Sequence, residues 1–177
     1  LPPGPRDAPV EFLQGSVLAP PVAPGSADLV WCQYVLEYLP DPLAAVRALS
    51  TLLKPGGRLV LSDIDGLGLW HWPESPQLTT DLATLRAMLA KTGFDPLVGR
   101  KLFGFLRASG LDEVQADVEP CVTIAGPAPA GERAAWVQRF SALRPLGTAA
   151  FGDAARYDAF TGAFLALLDD PDAFSYW

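Results

Sequence analysis

The sequence has few of the residues that build metal or redox sites. Its 177 residues include one histidine, His71, and two cysteines, Cys32 and Cys121, which lie far apart in the chain. Neither the ligand spacing of a zinc site nor a disulfide framework is present. We therefore expect no bound metal, and two free thiols in a reducing compartment.

Positive charge and long apolar runs are also scarce. The chain has 13 Lys and Arg against 20 Asp and Glu, a formal net charge of −7. Phosphate binding depends on clustered Lys and Arg, so this balance argues against a nucleic-acid partner. No apolar run approaches the roughly 20 residues that cross a bilayer. The opening Leu1-Pro-Pro-Gly lacks the basic start and apolar core of a secretory signal. We expect a cytoplasmic protein with no membrane span.

One stretch has the pattern of a strand, a helix and a second strand. The run from Ala27 to Leu36 is apolar, with Val, Trp and Tyr, and predicts a strand buried on both faces. Asp41-Pro42 suits a helix start, and apolar residues then recur at three- and four-residue spacing. Pro55-Gly56-Gly57 predicts the helix end and a turn, and Arg58 to Asp63 predicts the second strand.

Two strands joined by one helix run parallel in a right-handed unit, and such sheets bind ligands beyond the carboxyl ends of their strands. The residues at those ends are therefore the first candidates for a functional site: Cys32, Gln33, Tyr34, Asp63, Ile64 and Asp65.

At this stretch and at several others, the chain resembles the class I S-adenosylmethionine-dependent methyltransferases, especially the small-molecule branch with the ubiquinone and menaquinone methyltransferases. The resemblance covers roughly the first two thirds of the chain, and its pieces come in the family's order. They are Val10-Glu-Phe-Leu-Gln-Gly-Ser16, Ala27-Asp-Leu-Val30, Val35-Leu-Glu-Tyr-Leu-Pro-Asp-Pro42, Leu53-Lys-Pro-Gly-Gly-Arg-Leu59, Gly99-Arg-Lys-Leu102 and Ala108-Ser-Gly-Leu111.

The resemblance implies the cofactor S-adenosyl-L-methionine, a small-molecule substrate and methyl transfer. Its cofactor-binding residues would be Gly15, Ser16 and Val17 after one strand, and Cys32, Gln33 and Tyr34 after the next. In the family an acid at the Ser16 position accepts from the adenine amino group. The alternative for Ser16 is a turn cap, and the alternative for Cys32 is packing as an inert buried thiol.

The family's glycine-rich first strand, and the acid that ends its second strand, have no counterpart before Val10. The resemblance thus implies a partial Rossmann-like α/β sheet, mostly parallel and flanked by helices, that begins at the third strand and stops at Phe174-Ser-Tyr-Trp177 short of the last one. The strand around Asp28 to Tyr34 would have an open edge, a site for self-association. We expect Val10 to Gln14 to form a short strand that pairs there or stays loosely attached.

Four residues, two of them from the strand ends, are candidates for the substrate pocket. Asp63 and Asp65 face the same way in a strand and suit a divalent ion or a substrate amine, although solvated strand-end carboxylates are commoner. Trp70 and Trp72 suit the walls of an aromatic pocket, or else fill a core gap. They lie in a glycine-hinged segment, residues 64–73, that we interpret as a loop over the substrate.

His71 is the catalytic candidate, as a general base titrating near neutral pH. The alternative is a ring stacked between its two tryptophan neighbours. Methyl transfer depends mostly on positioning, so a catalytic side chain is optional.

The rest of the chain reads mainly as helices. Apolar spacing predicts helices at 77–91, 98–109, 132–143 and 153–169, and residues 114–124 predict an edge strand interrupted at Pro120. We interpret residues 1–177 as one incomplete domain. Its parts are a strand–helix–strand core (1–65), a lid with helices and a sixth-strand equivalent (66–125), and C-terminal helices (126–177).

Two functions are compatible with these patterns. The first is S-adenosylmethionine-dependent methyl transfer to a small molecule, with this chain a fragment of the active domain that is inactive alone. The second is a non-catalytic methyltransferase-like remnant that serves as a binding or assembly module. A nicotinamide dehydrogenase is a poor third, because it too needs the glycine-rich loop.

Overall fold

The computed structural model describes residues 10–66, 70–73 and 75–177. The helices are α1 (Pro42–Ser50), α2 (Pro76–Lys91), α3 (Leu102–Ala108), α4 (Ala130–Phe151) and α5 (Ala154–Asp169). The strands are β1 (Ala27–Gln33), β2 (Leu53–Ser62), β3 (Trp70–Trp72), β4 (Thr123–Ala125) and β5 (Phe174–Tyr176). Short 3-10 turns lie at Leu36–Tyr38 and Gly99–Lys101.

The parallel strand–helix–strand unit is confirmed. β1 and β2 pair in parallel, with Val30 opposite Leu59 and Cys32 opposite Leu61, and α1 connects them. Asp41 caps α1 by accepting the Ala44 N–H at 2.9 Å, and Pro42 lies in the first turn, where its missing N–H costs nothing. The predicted α/β class, with a parallel sheet flanked by helices, is therefore correct.

The glycine turn lies elsewhere than predicted. α1 already ends at Ser50, and Pro55-Gly56-Gly57 falls inside β2 as a bulge. Ala27 pairs with Leu53 while Leu29 pairs with Arg58, so the residues between Leu53 and Arg58 have no ladder partner on β1. Gly56 permits the bulge because its φ of +79° is one that side chains rarely adopt.

β1 is buried on one face only, which corrects the prediction of burial on both. Val30 and Cys32 pack into a cluster with Val46, Leu49 and Val98, and residues of α3 join it. On the other face Leu29 and Trp31 are 56% and 61% exposed. A run without alternation cannot show which face is covered, and here α1 and α3 cover the same one.

Val10 to Gln14 does not form the predicted strand. These residues have no ladder partner, and Phe12 is 94% exposed. A strand needs neighbouring N–H and C=O groups and a surface for its side chains, and this segment has neither. It is loosely attached, the second of the two outcomes expected for it. The described chain first contacts the core at Val17, which packs on the cluster around β1.

A second, antiparallel sheet, in the order β3-β5-β4, was not predicted. Trp70–Trp72, expected in a loop, pairs with Phe174–Tyr176, expected to stop short of the last strand. Of the predicted 114–124 strand, only Thr123 and Ile124 belong to a strand, β4, which lies at the sheet edge as expected. Strands of three residues carry too little pattern for a sequence to reveal.

The second core lies among helices α2, α4 and α5. The predicted stripe of α2 is confirmed, with Leu78, Leu82 and Leu85 buried. α4 continues past the predicted Leu143, through Pro145 to Phe151. The Tyr157 hydroxyl donates to the Phe140 carbonyl at 2.8 Å in the turn before Pro145. Trp136, Phe140, Phe160 and Phe164 fill the centre of this cluster.

Candidate functional site

The carboxyl ends of β1 and β2 lie side by side, as the parallel pairing requires. Gln33 is opposite Ser62, and the Tyr34 N–H donates to the Ser62 carbonyl at 3.0 Å. At Tyr34 the backbone turns with a φ of +54°, unusual for a bulky residue and typical of functional or turn positions. The predicted candidates Cys32 to Tyr34 and Asp63 to Asp65 thus meet at one edge.

Asp63 ties the two strand ends together. Its Oδ2 accepts the Leu36 N–H at 3.0 Å, and its Oδ1 accepts the Ile64 N–H at 2.9 Å. Leu36 follows β1 while Asp63 follows β2, so the carboxylate holds the two exit loops in register. The Asp63 side chain thus accepts one backbone N–H from each exit loop.

Glu37 is a member of this cluster that the sequence did not reveal. It is only 4% exposed, and burial together with the neighbouring Asp63 carboxylate raises its pKa to about 7. The signal in the sequence is an acid directly after Leu36, in the first turn beyond an apolar strand. The burial of its side chain could not be read from that position alone.

Cys32 lies in the apolar cluster under the strand ends. Burial, and to a lesser degree the charge on Asp63, raises the pKa of its thiol, so the neutral thiol is the stable form. A neutral buried thiol is a poor nucleophile and packs as a small apolar group. Its predicted contact with the cofactor remains a prediction.

Gln33 and Tyr34 present their side chains to solvent. The Gln33 Oε1 accepts the Trp31 indole N–H at 3.3 Å. The Tyr34 hydroxyl lies 3.5 Å from the Cys121 sulfur, just before β4. The end of β1 is therefore joined to the second sheet through a tyrosine side chain, a long-range contact that the sequence does not reveal.

Asp65 binds a second loop rather than facing open solvent. Its Oδ1 accepts from the Arg100 Nε at 2.7 Å, and the adjacent Gly99 N–H donates to the Ile64 carbonyl at 2.8 Å. A Cβ on Gly99 would lie 2.6 Å from the Ile64 oxygen, so only glycine allows this approach. The loop after β2 is thus fixed by residues of the Gly99-Arg-Lys segment.

Gly15, Ser16 and Val17 lie on the segment that leads into the sheet. Ser16 accepts the Leu18 N–H on its hydroxyl at 3.2 Å, which is the turn-capping geometry. Val17 borders the same apolar cluster as Cys32. No described contact brings Gly15 or Ser16 to the strand ends, and their role towards a cofactor remains a prediction.

Trp70, His71 and Trp72 form β3, apart from the strand-end cluster. His71 is opposite Ser175, which is opposite Ile124, and both of these partners are buried. Alternate residues of a strand face opposite ways, so Trp70 and Trp72 face outward, at 47% and 65% exposure. Trp70 stacks on Tyr176 with ring centroids 6.2 Å apart. Their roles in the substrate pocket and in catalysis remain predictions.

Neither a metal centre nor a membrane span is found in the described ranges. They hold no group of three or more His, Cys, Asp or Glu placed to bind a metal ion. Nor does any described helix combine the length and apolar character that a bilayer crossing needs.

Residues 3–61 match a family of methyltransferase domains. Over 42 residues the chain is 57% identical to a ubiquinone biosynthesis O-methyltransferase of Xanthomonas campestris pv. campestris (strain B100), which is 24% of this chain and 18% of that protein. Over 117 residues it is 33% identical to Methyltransferase str3 of Strobilurus tenacellus, 64% of this chain and 42% of that one. A solved structure of a candidate methyltransferase from Bacillus halodurans C-125 superposes with a TM-score of 0.54 at 15% identity, over 80% of this chain and 60% of that one, and shows the likeness in fold.

The comparisons confirm the resemblance to the class I S-adenosylmethionine-dependent methyltransferases. The matched segment ends within β2, so the resemblance rests mainly on the same parallel unit that carries the strand-end cluster. The chain spans less than half the length of these two curated methyltransferases.

The methyltransferase cofactor fits part of this site. The strand ends offer the Gln33 amide, the turn at Tyr34 and the charge of Asp63, and negative charge suits a cationic sulfonium. In the described residues, neither parallel strand leads through a glycine-rich loop directly into a helix, the element that binds anionic groups in sheets of this kind. The described residues therefore offer polar groups at the strand ends, and no glycine-rich loop of this kind for an anionic part of the cofactor.

Proposed function

We propose that this chain is part of an S-adenosylmethionine-dependent methyltransferase that acts on a small molecule. The observation that carries the proposal is the parallel β1–α1–β2 unit with Gln33, Tyr34 and Asp63 together at its carboxyl edge. When bound, the cofactor supplies the electrophilic methyl group. The protein's task is then to hold an acceptor in line with that group and to exclude water.

The strand-end residues divide this task between them. Gln33 and Tyr34 line the cofactor's path at the end of β1, and Cys32 forms the apolar floor beneath it. Asp63 fixes both exit loops, so it acts as a positioning residue through the Leu36 and Ile64 backbone. Asp65, Trp70 and Trp72 stand as substrate-pocket residues, with His71 as the candidate base.

We further propose that cofactor binding needs a glycine-rich strand and helix in addition to these 177 residues. The described residues hold no counterpart for the groups that bind the carboxypropyl and ribose parts of the cofactor. On this proposal, the 177-residue chain alone binds S-adenosylmethionine weakly or not at all.

Isothermal titration of the complete gene product with S-adenosylmethionine tests both statements. We expect saturable binding by the complete product and a much weaker signal from the 177-residue chain. Tyr34→Gly removes the side chain while its backbone still allows a positive φ, so we expect weaker binding from a folded protein. Tyr34→Ala would keep a Cβ in a backbone conformation that side chains rarely adopt, so Tyr34→Gly is the clearer test. A complete product that is folded and does not bind would refute the proposal.

A second candidate, a non-catalytic assembly module, is favoured by one observation. β1 pairs only with β2 among the described residues, and Leu29 and Trp31 on its outer face are mostly exposed. An open edge next to exposed apolar side chains is a surface for pairing with another chain. In this function a second copy would pair along β1.

Sedimentation over a range of concentrations distinguishes the two. The assembly function predicts concentration-dependent dimers that Trp31→Lys abolishes. Trp72→Lys is the matched control, because Trp72 is equally exposed but lies in β3. Monomers at all concentrations would exclude the assembly function and leave the methyltransferase proposal untouched.

A further inference from the structure

A cavity of about 530 Å³ lies between α2, α4 and the segment that follows α2. It borders the carboxyl edge of β1 and β2 at Tyr38, which follows Glu37, but the proposed function uses none of its lining residues. Pockets of 300–1,000 Å³ are the size that accepts drug-sized ligands. Leu82, Leu85 and Leu89 line it from α2, and Trp136 and Phe140 line it from α4.

The walls of this cavity are apolar and aromatic. Tyr38 and Phe94 pack together at one side with ring centroids 5.2 Å apart, and Trp136 packs on Phe140 at 5.4 Å. Side chains that are packed on one another in this way give a cavity with fixed walls. An apolar body, either a chain or a ring system, is what such a lining takes up.

Two hydrogen-bond donors in the lining have no acceptor in the described part of the chain. Trp136 is only 6% exposed, and its indole Nε1 is buried with no hydrogen-bond partner. Arg86 is half-buried and forms no ion pair with any described carboxylate. A buried donor without a partner destabilises the folded state, more so when it is charged, and a ligand acceptor would remove that cost.

The second cation in the lining is already compensated. Arg139 lies over the Trp136 ring at 4.9 Å and pairs with Glu132 at 3.3 Å. Arg86 is therefore the guanidinium of the lining whose charge no described carboxylate balances. The chain as a whole has a net charge of −7. A single cation without a described carboxylate partner, in an apolar cavity, matches a ligand with one negative charge rather than a polyphosphate.

We propose that this cavity binds an amphipathic carboxylate: an apolar chain or ring system that bears one carboxyl group. The carboxylate pairs with Arg86, the apolar body packs among the leucines of α2 and the rings of α4, and the Trp136 indole N–H donates to a ligand oxygen. The proposal rests on the cavity and its donors alone, and it stands whether or not the chain binds S-adenosylmethionine.

Decanoate and 1-decanol, titrated into the 177-residue chain by calorimetry, test the charge requirement. We expect saturable decanoate binding and weaker binding of the alcohol. Arg86→Gln should weaken decanoate about tenfold and leave the alcohol within about twofold. Arg47→Gln, an exposed arginine on α1 away from the cavity, is the matched control and should leave both unchanged.

Two further measurements locate the ligand. Ala142→Trp places a large ring at an exposed position of the lining and should block both ligands without disturbing the core. The indole N–H resonance of Trp136, assigned with Trp136→Phe, should shift when decanoate binds. No binding by the folded chain, or binding that Arg86→Gln and Ala142→Trp leave intact, would overturn the proposal.

Discussion

The Glu37 carboxyl lies beside the carboxylate of Asp63, at a position where Glu37 is only 4% exposed. Its pKa of about 7 in the folded chain compares with 4.5 for a free side chain. Between these values the folded state binds more protons than the unfolded state. The free energy of unfolding should therefore fall as the pH rises from about 4.5 to 7.

Glu37→Gln should remove this pH dependence of the free energy of unfolding. At pH 5 the variant and the natural chain should be similarly stable, and at pH 8 the variant should be more stable by an amount on the order of 2–3 kcal/mol, at 1.4 kcal/mol per pKa unit. Urea denaturation at several pH values measures the difference. Glu119→Gln, at an exposed position, is the control and should follow the natural chain. A difference between Glu37→Gln and the natural chain that does not vary with pH would contradict the assignment.

Gly99→Ala should destabilise the chain by about 1–3 kcal/mol, because its Cβ would lie 2.6 Å from the Ile64 carbonyl oxygen. Gly104→Ala is the matched control: it lies in α3 with open space around it and should gain about 0.5–1 kcal/mol from helix propensity. Denaturation midpoints of the two variants give the comparison. Equal effects at both positions would mean that the loop moves freely away from Ile64.

Asp81→Asn should cost about 2–4 kcal/mol in the free energy of unfolding. Asp81 is 2% exposed. Its Oδ1 accepts a hydrogen bond from the Gln77 side-chain amide at 2.9 Å, and both of its oxygens pair with Arg156. Losing one partner of a buried pair leaves the other poorly compensated. Asp158→Asn breaks the exposed pair with Arg144 and should change stability little. Thermal unfolding of both variants decides whether burial makes the difference.

Ser16→Asp should tighten S-adenosylmethionine binding by the complete gene product by several-fold, on the order of tenfold. An aspartate restores the acid that the family resemblance places at this position, and a charged acceptor makes the stronger hydrogen bond to an amino group. It can also accept the Leu18 N–H, so the turn is kept. Ser141→Asp, on the exposed face of α4, is the control for added charge, and calorimetry is the measurement.

If Ser16→Asp left the affinity unchanged while the protein bound the cofactor, Ser16 would be a turn cap alone. That outcome would separate the role of Gly15 to Val17 from the role of the strand ends.

The sequence was sufficient where a pattern runs long enough to be read. The β1–α1–β2 order, the Asp41 cap and the α2 stripe all follow from periodicity and helix-end chemistry, and all are confirmed. The family resemblance and local propensity also predicted a strand at Val10 to Gln14, and the structure corrects this, because these residues pair with no described strand.

What the sequence could not show depends on contacts between distant residues. The raised pKa of Glu37 depends on its burial and on the carboxylate of Asp63, which follows a different strand. The Tyr34–Cys121 contact and the cavity beside Arg86 each require segments that approach only in the folded chain. A local sequence pattern does not show contacts between distant segments, so only the structure reveals these features.

β5 is the middle strand of its sheet, and both of its partner strands, β3 and β4, lie far before it in the sequence. Among the described residues, Trp70–Trp72 has a ladder partner only in Phe174–Tyr176. During synthesis on the ribosome these two tryptophans would leave the exit tunnel long before their partner does. β1, α1 and β2 need no such delay, so the chain would complete its parallel unit while the other sheet is still unassembled.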